Sequence, residues 1–170
     1  MKIEYVHASK FGNGEMVADK FQQNMRAQGV RVDVHHVRAL KRQTVAPADL
    51  YVFSSPGRMG RPIRSMRRFL RRLSLPAGTK YALLTTEAAP RPDKKTGRTP
   101  TDAELAKTQR IRPIMRGILQ GKGLDEVAED RVFVTGLKGP LEVGWEQKVA
   151  AFAQRVQAAL TSADGPLPSR

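Results

Sequence analysis

Three short stretches of the chain hold the residue types that bind and position a small anion. The first is Ser9-Lys10-Phe11-Gly12-Asn13-Gly14. It separates an apolar run at residues 3–6 from a helical pattern in which Val17, Phe21 and Met25 recur every fourth residue. Glycines let the backbone curl, successive N–H groups turn inward, and a helix N-terminus favours negative charge. A phosphate at the head of the first helix is the chemistry that this arrangement predicts. The second stretch is Ser55-Pro56-Gly57-Arg58-Met59-Gly60, after an apolar run at 50–53. The third is Thr86-Glu87-Ala88, after another run at 81–84.

Other chemistries find less support. The chain of 170 residues has no cysteine, which removes disulfides, thiol catalysis and thiolate-ligated metals. His7, His35 and His36 have no carboxylate or further histidine spaced to complete a metal site, so they read as polar residues at strand ends. Ser54 and Ser55 lack the Gly-x-Ser-x-Gly of a nucleophile elbow. Gly12-Asn13-Gly14 begins like a dinucleotide fingerprint, but Val17 stands at its third glycine position. No acidic residue closes the second strand to hold a ribose, which disfavours NAD; Arg38 keeps an NADP reading open. No catalytic acid, base or nucleophile is assigned.

Five apolar runs, at residues 3–6, 30–37, 50–53, 81–84 and 132–134, are short, and two are valine-rich as buried parallel strands are. Between most of them lie helical patterns. One covers 15–28, and a second carries Ile63, Met66, Leu70 and Leu73 on one stripe. A third begins at the capping box Thr101-Asp102-Ala103-Glu104 and continues through Leu105, Ile111, Met115 and Ile118. The last runs from Trp145 to Leu160. Residues 38–49 contain no clear helix. Alternation of this kind predicts one α/β domain over residues 1–160, a doubly wound parallel sheet, with a disordered tail at 161–170. The three polar stretches then fall at the carboxyl ends of strands, where such sheets bind ligands.

In that setting, residues 9–14 resemble the phosphate loop of the flavodoxin family, which reads Ser/Thr, any residue, Thr, Gly, any residue, Thr. Residues 55–60 resemble that family's Ser-Pro-Thr-aromatic-aromatic-Gly flavin loop, again after the third strand. The resemblance covers most of residues 1–160. It implies a five-stranded sheet in the order 2-1-3-4-5 and non-covalent FMN held by Ser9 to Gly14, Ser55 to Gly60 and Thr86 to Ala88. It also implies an electron carrier or small flavin reductase with a redox partner protein or small-molecule acceptor. Phe11 and Gly14 replace threonines of the pattern, and Arg58 and Met59 stand where aromatics are common. FMN should therefore dissociate more readily than from a typical flavodoxin. The insertion at 87–100 is also similar to that of the flavodoxin-like protoporphyrinogen dehydrogenases, and reads as a mobile lid or docking arm.

The net charge of +14 points to an acidic or anionic partner. Seven arginines lie between Arg58 and Arg72. Arg64, Arg67, Arg68, Arg71 and Arg72 fall away from the apolar stripe, so they read first as a solvated helix face. A flavin-free module that binds nucleic acid or an acidic protein through this face is the alternative. Without an apolar stretch of spanning length or a signal-like N-terminus, the chain reads as cytoplasmic, with no membrane span.

Overall fold

The computed structural model describes residues 1–162. Along the chain the elements are β1 (Lys2–His7), α1 (Asn13–Arg26), β2 (Arg31–His36), β3 (Leu50–Ser54), β4 (Gly57–Arg58), β5 (Arg61–Pro62) and α2 (Arg64–Arg72). They continue with β6 (Lys80–Ala88), α3 (Asp102–Thr108), α4 (Ile111–Gln120), β7 (Asp125–Val134) and α5 (Trp145–Thr161). Five strands form one parallel sheet in the order β2-β1-β3-β6-β7. Setting aside the small β4–β5 hairpin, this is the expected 2-1-3-4-5 winding.

The central strand β3 shows why both faces need helices. Leu50 and Val52 point to one side, into a core with Phe21 of α1 and Phe152 of α5. Tyr51 and Phe53 point to the other, against Met66 and Leu70 of α2 and Met115 of α4. A strand rises in steps of two, so a segment apolar at every position must be buried twice. The link from β2 to β3 holds only short 3₁₀ turns. The sheet face beside β1 and β2 there carries polar side chains. Glu4, although buried, meets Lys2 Nζ at 2.7 Å and His35 Nε2 at 2.7 Å.

Four expectations need correction. The last strand spans ten residues rather than 132–134. Its Glu126, Glu129 and Asp130 hid it, yet they pair with Arg116, Arg112 and Arg155 of the neighbouring helices. The third helix is two, broken at Gln109 by an extended backbone (ψ 95°). The strand before the long insertion runs on through Ala88, and the insertion itself is organised. Asp93 accepts from the N–H groups of Lys95 and Thr96, and Arg98 pairs with Glu104. Thr161, expected in the tail at 161–170, instead closes α5. Residues 163–170 lie outside the described residues.

The segment expected as a flavin loop folds as a β-hairpin. Gly57 pairs with Pro62 and Arg58 with Arg61, leaving Met59 and Gly60 as a two-residue turn with φ of 52° and 75°. Positive φ at both positions matches the right-handed twist of a hairpin. Gly60 also touches the junction of α3 and α4. Its carbonyl accepts from Arg110 N–H at 2.7 Å, and a Cβ there would sit 1.9 Å from the Thr108 carbonyl oxygen. Gly60→Ala is expected to cost about 2–4 kcal/mol in urea unfolding, through backbone strain and the displaced hairpin. Met59→Asn, in a residue type that tolerates this conformation, should stay within about 0.5 kcal/mol of wild type.

Candidate functional site

The first turn of α1 leaves three backbone donors free among the described residues. Gly12, at φ 93°, turns the chain into α1 without any side-chain cap. The first helical bond is Met16 N–H to the Gly12 carbonyl at 3.0 Å. The N–H groups of Asn13, Gly14 and Glu15 meet no acceptor among the described residues. They carry the positive end of a 14-residue helix. Gly14 is buried, and a Cβ on it would lie 3.2 Å from Ser9 Cβ. The first turn of α1 therefore packs directly on Ser9, which accounts for glycine where the family pattern has threonine.

The loop is braced from both neighbouring strands. Ala8 N–H donates to Ser54 of β3 at 3.2 Å. The ring of His36, from β2, donates through Nε2 to the Ser9 carbonyl at 2.9 Å and accepts the Arg38 N–H at Nδ1. Ser9 N–H donates to His7 Nδ1 at 3.2 Å, and Gly12 N–H to Ser9 Oγ at 3.1 Å. Two of the three histidines thus shape the loop, while His35 pairs with Glu4. No group of three or more His, Asp or Glu stands in metal-binding proximity among the described residues.

A cleft of about 360 Å³ opens beside this loop, within the range of small-molecule sites. Ser9, Lys10, Phe11, Asn13 and Gly14 line it from one side. Pro56, Gly57 and Arg58 line it from the hairpin, and Thr86, Glu87 and Ala88 from the end of β6. Gly12, Ser55, Met59 and Gly60 are not on the lining. Gly12 shapes the turn, and the buried Ser55 hydroxyl donates to the Pro56 carbonyl while accepting the Ile63 N–H. Met59, 94% exposed, and Gly60 form the hairpin tip. Ile63, Arg91, Val134, Gly136 and Leu137 also line the cleft and were not singled out from sequence. Val134 ends β7, and Gly136 and Leu137 belong to the segment after it, Thr135-Gly136-Leu137-Lys138-Gly139-Pro140, a third glycine-containing loop at a strand end. Asn13 ties it to the first by donating to the Lys138 carbonyl at 3.2 Å.

The charge of the cleft is positive. Lys10, Arg58 and Arg91 line it, and Lys138 Nζ lies 5.5 Å from the Phe11 ring, as does Lys10 Nζ. The one carboxylate on the lining, Glu87, is buried and engaged. Thr85 Oγ donates to it at 2.6 Å, Arg112 Nε at 2.9 Å, and Arg131 Nη1 lies 3.7 Å away. Phe11 supplies the sole aromatic ring of the lining and is half exposed.

No family model matches the sequence, and no curated protein matches it. Solved structures do. Flavodoxin 1 from Bacillus cereus has 18% identity and a TM-score of 0.67 over 93% of this chain and 98% of that one. A mutant flavodoxin from Pseudomonas aeruginosa has 17% identity and a TM-score of 0.66, over 95% and 99%. Rubredoxin oxygen:oxidoreductase from Desulfovibrio gigas has 15% identity and a TM-score of 0.69, covering 97% of this chain. The chain spans 37% of that protein's length. The fold is that of the flavodoxins.

The brace at His7 makes the loop sensitive to acid. Burial, with the neighbouring His36 adding to it, pulls His7 from an ordinary 6.5 down to about 4. The folded chain thus resists a proton that the unfolded chain accepts. Stability is fully present above pH 6.5 and is lost as pH falls towards 4. The loss due to this group should reach about 3 kcal/mol. Denaturant unfolding at intervals from pH 7 to 4 measures it, and His7→Asn, which keeps an acceptor for Ser9 N–H, should flatten the dependence.

Proposed function

We propose that this protein binds FMN non-covalently and serves as an electron carrier or small flavin-dependent reductase. The observation that carries the reading is the uncapped start of α1. Three donors at the positive end of a helix open beside a cleft lined by Lys10, Arg58 and Arg91. A phosphate satisfies those donors together, and each charge-assisted bond of this kind contributes about 1.5–3 kcal/mol. The fold neighbours named flavodoxins support the same assignment.

The residues present fit the group. Asn13, Gly14 and Glu15 would hold its phosphate through their backbones, with Ser9 and Lys10 beside them. Phe11, Ile63 and Leu137 offer the apolar surface, and Thr86 to Ala88 and the hairpin residues Pro56, Gly57 and Arg58 close the rest. When bound, the flavin supplies the redox chemistry, so no acid or base of the protein is required. The chain's own contribution is electrostatic. Because Arg112 and Arg131 hold Glu87, the free charges at the cleft are cations, which suits an anionic form of the ligand and an acidic or anionic redox partner.

Fluorescence titration with FMN and with riboflavin tests the reading. FMN should bind at least about tenfold more tightly, the equivalent of one charge-assisted bond. Lys10→Ala should weaken FMN and leave riboflavin unchanged. Equal affinity for the two flavins, or no affinity for either, would contradict it.

A further inference from the structure

Helix α2 carries a second feature, unrelated to the cleft. Arg64, Arg67, Arg68, Arg71 and Arg72 follow a three–four spacing, so all five fall on one face. They line a common groove of about 280 Å³ with no other residue type in it. A second groove continues from Arg64 and Arg68 to Arg38. None of the five forms an ion pair among the described residues. Arg67 is half-buried, and its Nε has no acceptor. From Arg38 to Thr86 the sole acidic residue is Asp49, and it binds the backbone N–H of Lys2.

A merely solvated face mixes its charges or pairs them with a neighbouring element, as α1 and α4 do. Helix α1 carries Glu15 and Asp19 beside Lys20, and the arginines of α4 are paired with glutamates. On α2 the pairs Arg64/Arg68, Arg67/Arg71 and Arg68/Arg72 stand at the spacing where like charges repel. We infer that this face is a docking surface for the phosphodiester backbone of a nucleic-acid duplex, read without sequence preference. The stripe is about 12 Å long, from the helical rise, a length of duplex axis over which each strand presents about three to four phosphates. Arginine forks suit phosphate better than lysine does. The five-arginine groove holds no apolar anchor, because Met66, Phe69 and Leu70 of α2 are in the core, and only its continuation towards Arg38 meets apolar side chains, Val37, Leu40 and the edge of Phe69. A protein partner would find a polar rim without a centre. A single strand would find no ring to stack on. A membrane would find no apolar face to take up.

Fluorescence anisotropy with a labelled mixed-sequence DNA duplex, and with the same duplex in RNA, tests this across a salt series. Binding should persist near physiological salt. Changing Arg64, Arg68, Arg71 and Arg72 to Gln should weaken it at least about 30-fold and reduce the steepness of the log–log salt slope by about 3.6, the value for four phosphate contacts. Arg68→Gln with Arg72→Gln should give about half that change in slope, which guards against a folding defect in the larger variant. A preference for one duplex would identify whether DNA or RNA is the source of the backbone. A control with Arg26, Lys94, Lys95 and Lys107 changed to Gln removes the same net charge. If it loses as much affinity, binding is the generic attraction of a basic protein and the inference fails. It also fails if polyglutamate displaces the duplex charge for charge, or if anionic vesicles bind through these arginines while duplexes do not. FMN affinity is untouched by this variant in either case, so the result stands apart from the flavin reading.

Discussion

The pairing of β1 with β2 on one side and β3 on the other is the interaction on which the molecule depends. Because the chain reverses its winding at β1, the loops that leave β1 and β3 diverge to opposite faces of the sheet. The gap between them is the cleft. The same pairing fixes the shape of its wall at the start of α1, since Ala8 bonds to Ser54 on β3 and Ser9 is held by His36 from the end of β2. A loop fastened to both neighbours holds the N–H groups at the start of α1 in a fixed arrangement. Preorganisation of this sort lowers the ordering cost of binding.

Electrostatics divide the molecule. Around β7 and its helices the acids and arginines satisfy each other, from Glu87 with Arg112 and Arg131 to Asp130 with Arg155. Buried pairs of this type are costly to break from one side, which makes Glu87 a structural member of the cleft wall rather than a free charge within it. Around α2 nothing offsets the arginines. Unpaired arginines are densest on α2, while Arg26, Lys94, Lys95, Lys107 and other cations spread the rest of the positive charge over the described surface.

Much of this was legible in the residues. Val17, Phe21 and Met25 placed α1, and β3 was evident because every one of its residues is fit for burial. The Ser9–Gly14 loop could be placed because its glycines fall between an apolar run and a helical pattern. What escaped notice depended on partners distant in sequence. The acidic residues of β7 look like a loop until Arg112, Arg116 and Arg155 arrive from α4 and α5 to pair with them. The break between α3 and α4 follows from the hairpin packing against it, which the continuous apolar periodicity of Leu105, Ile111 and Met115 conceals. His7 and His36 show their purpose only when Ser9 is folded between them.

The central claim is that the start of α1 is a phosphate cradle. Amide proton–nitrogen correlation spectra of the labelled protein, recorded as FMN is added, test it at the atoms concerned. The account predicts that the amides of Asn13, Gly14 and Glu15 move furthest downfield, and that inorganic phosphate alone shifts the same three in the same direction. Shifts confined to other parts of the molecule, with these three amides unmoved at saturation, would contradict it.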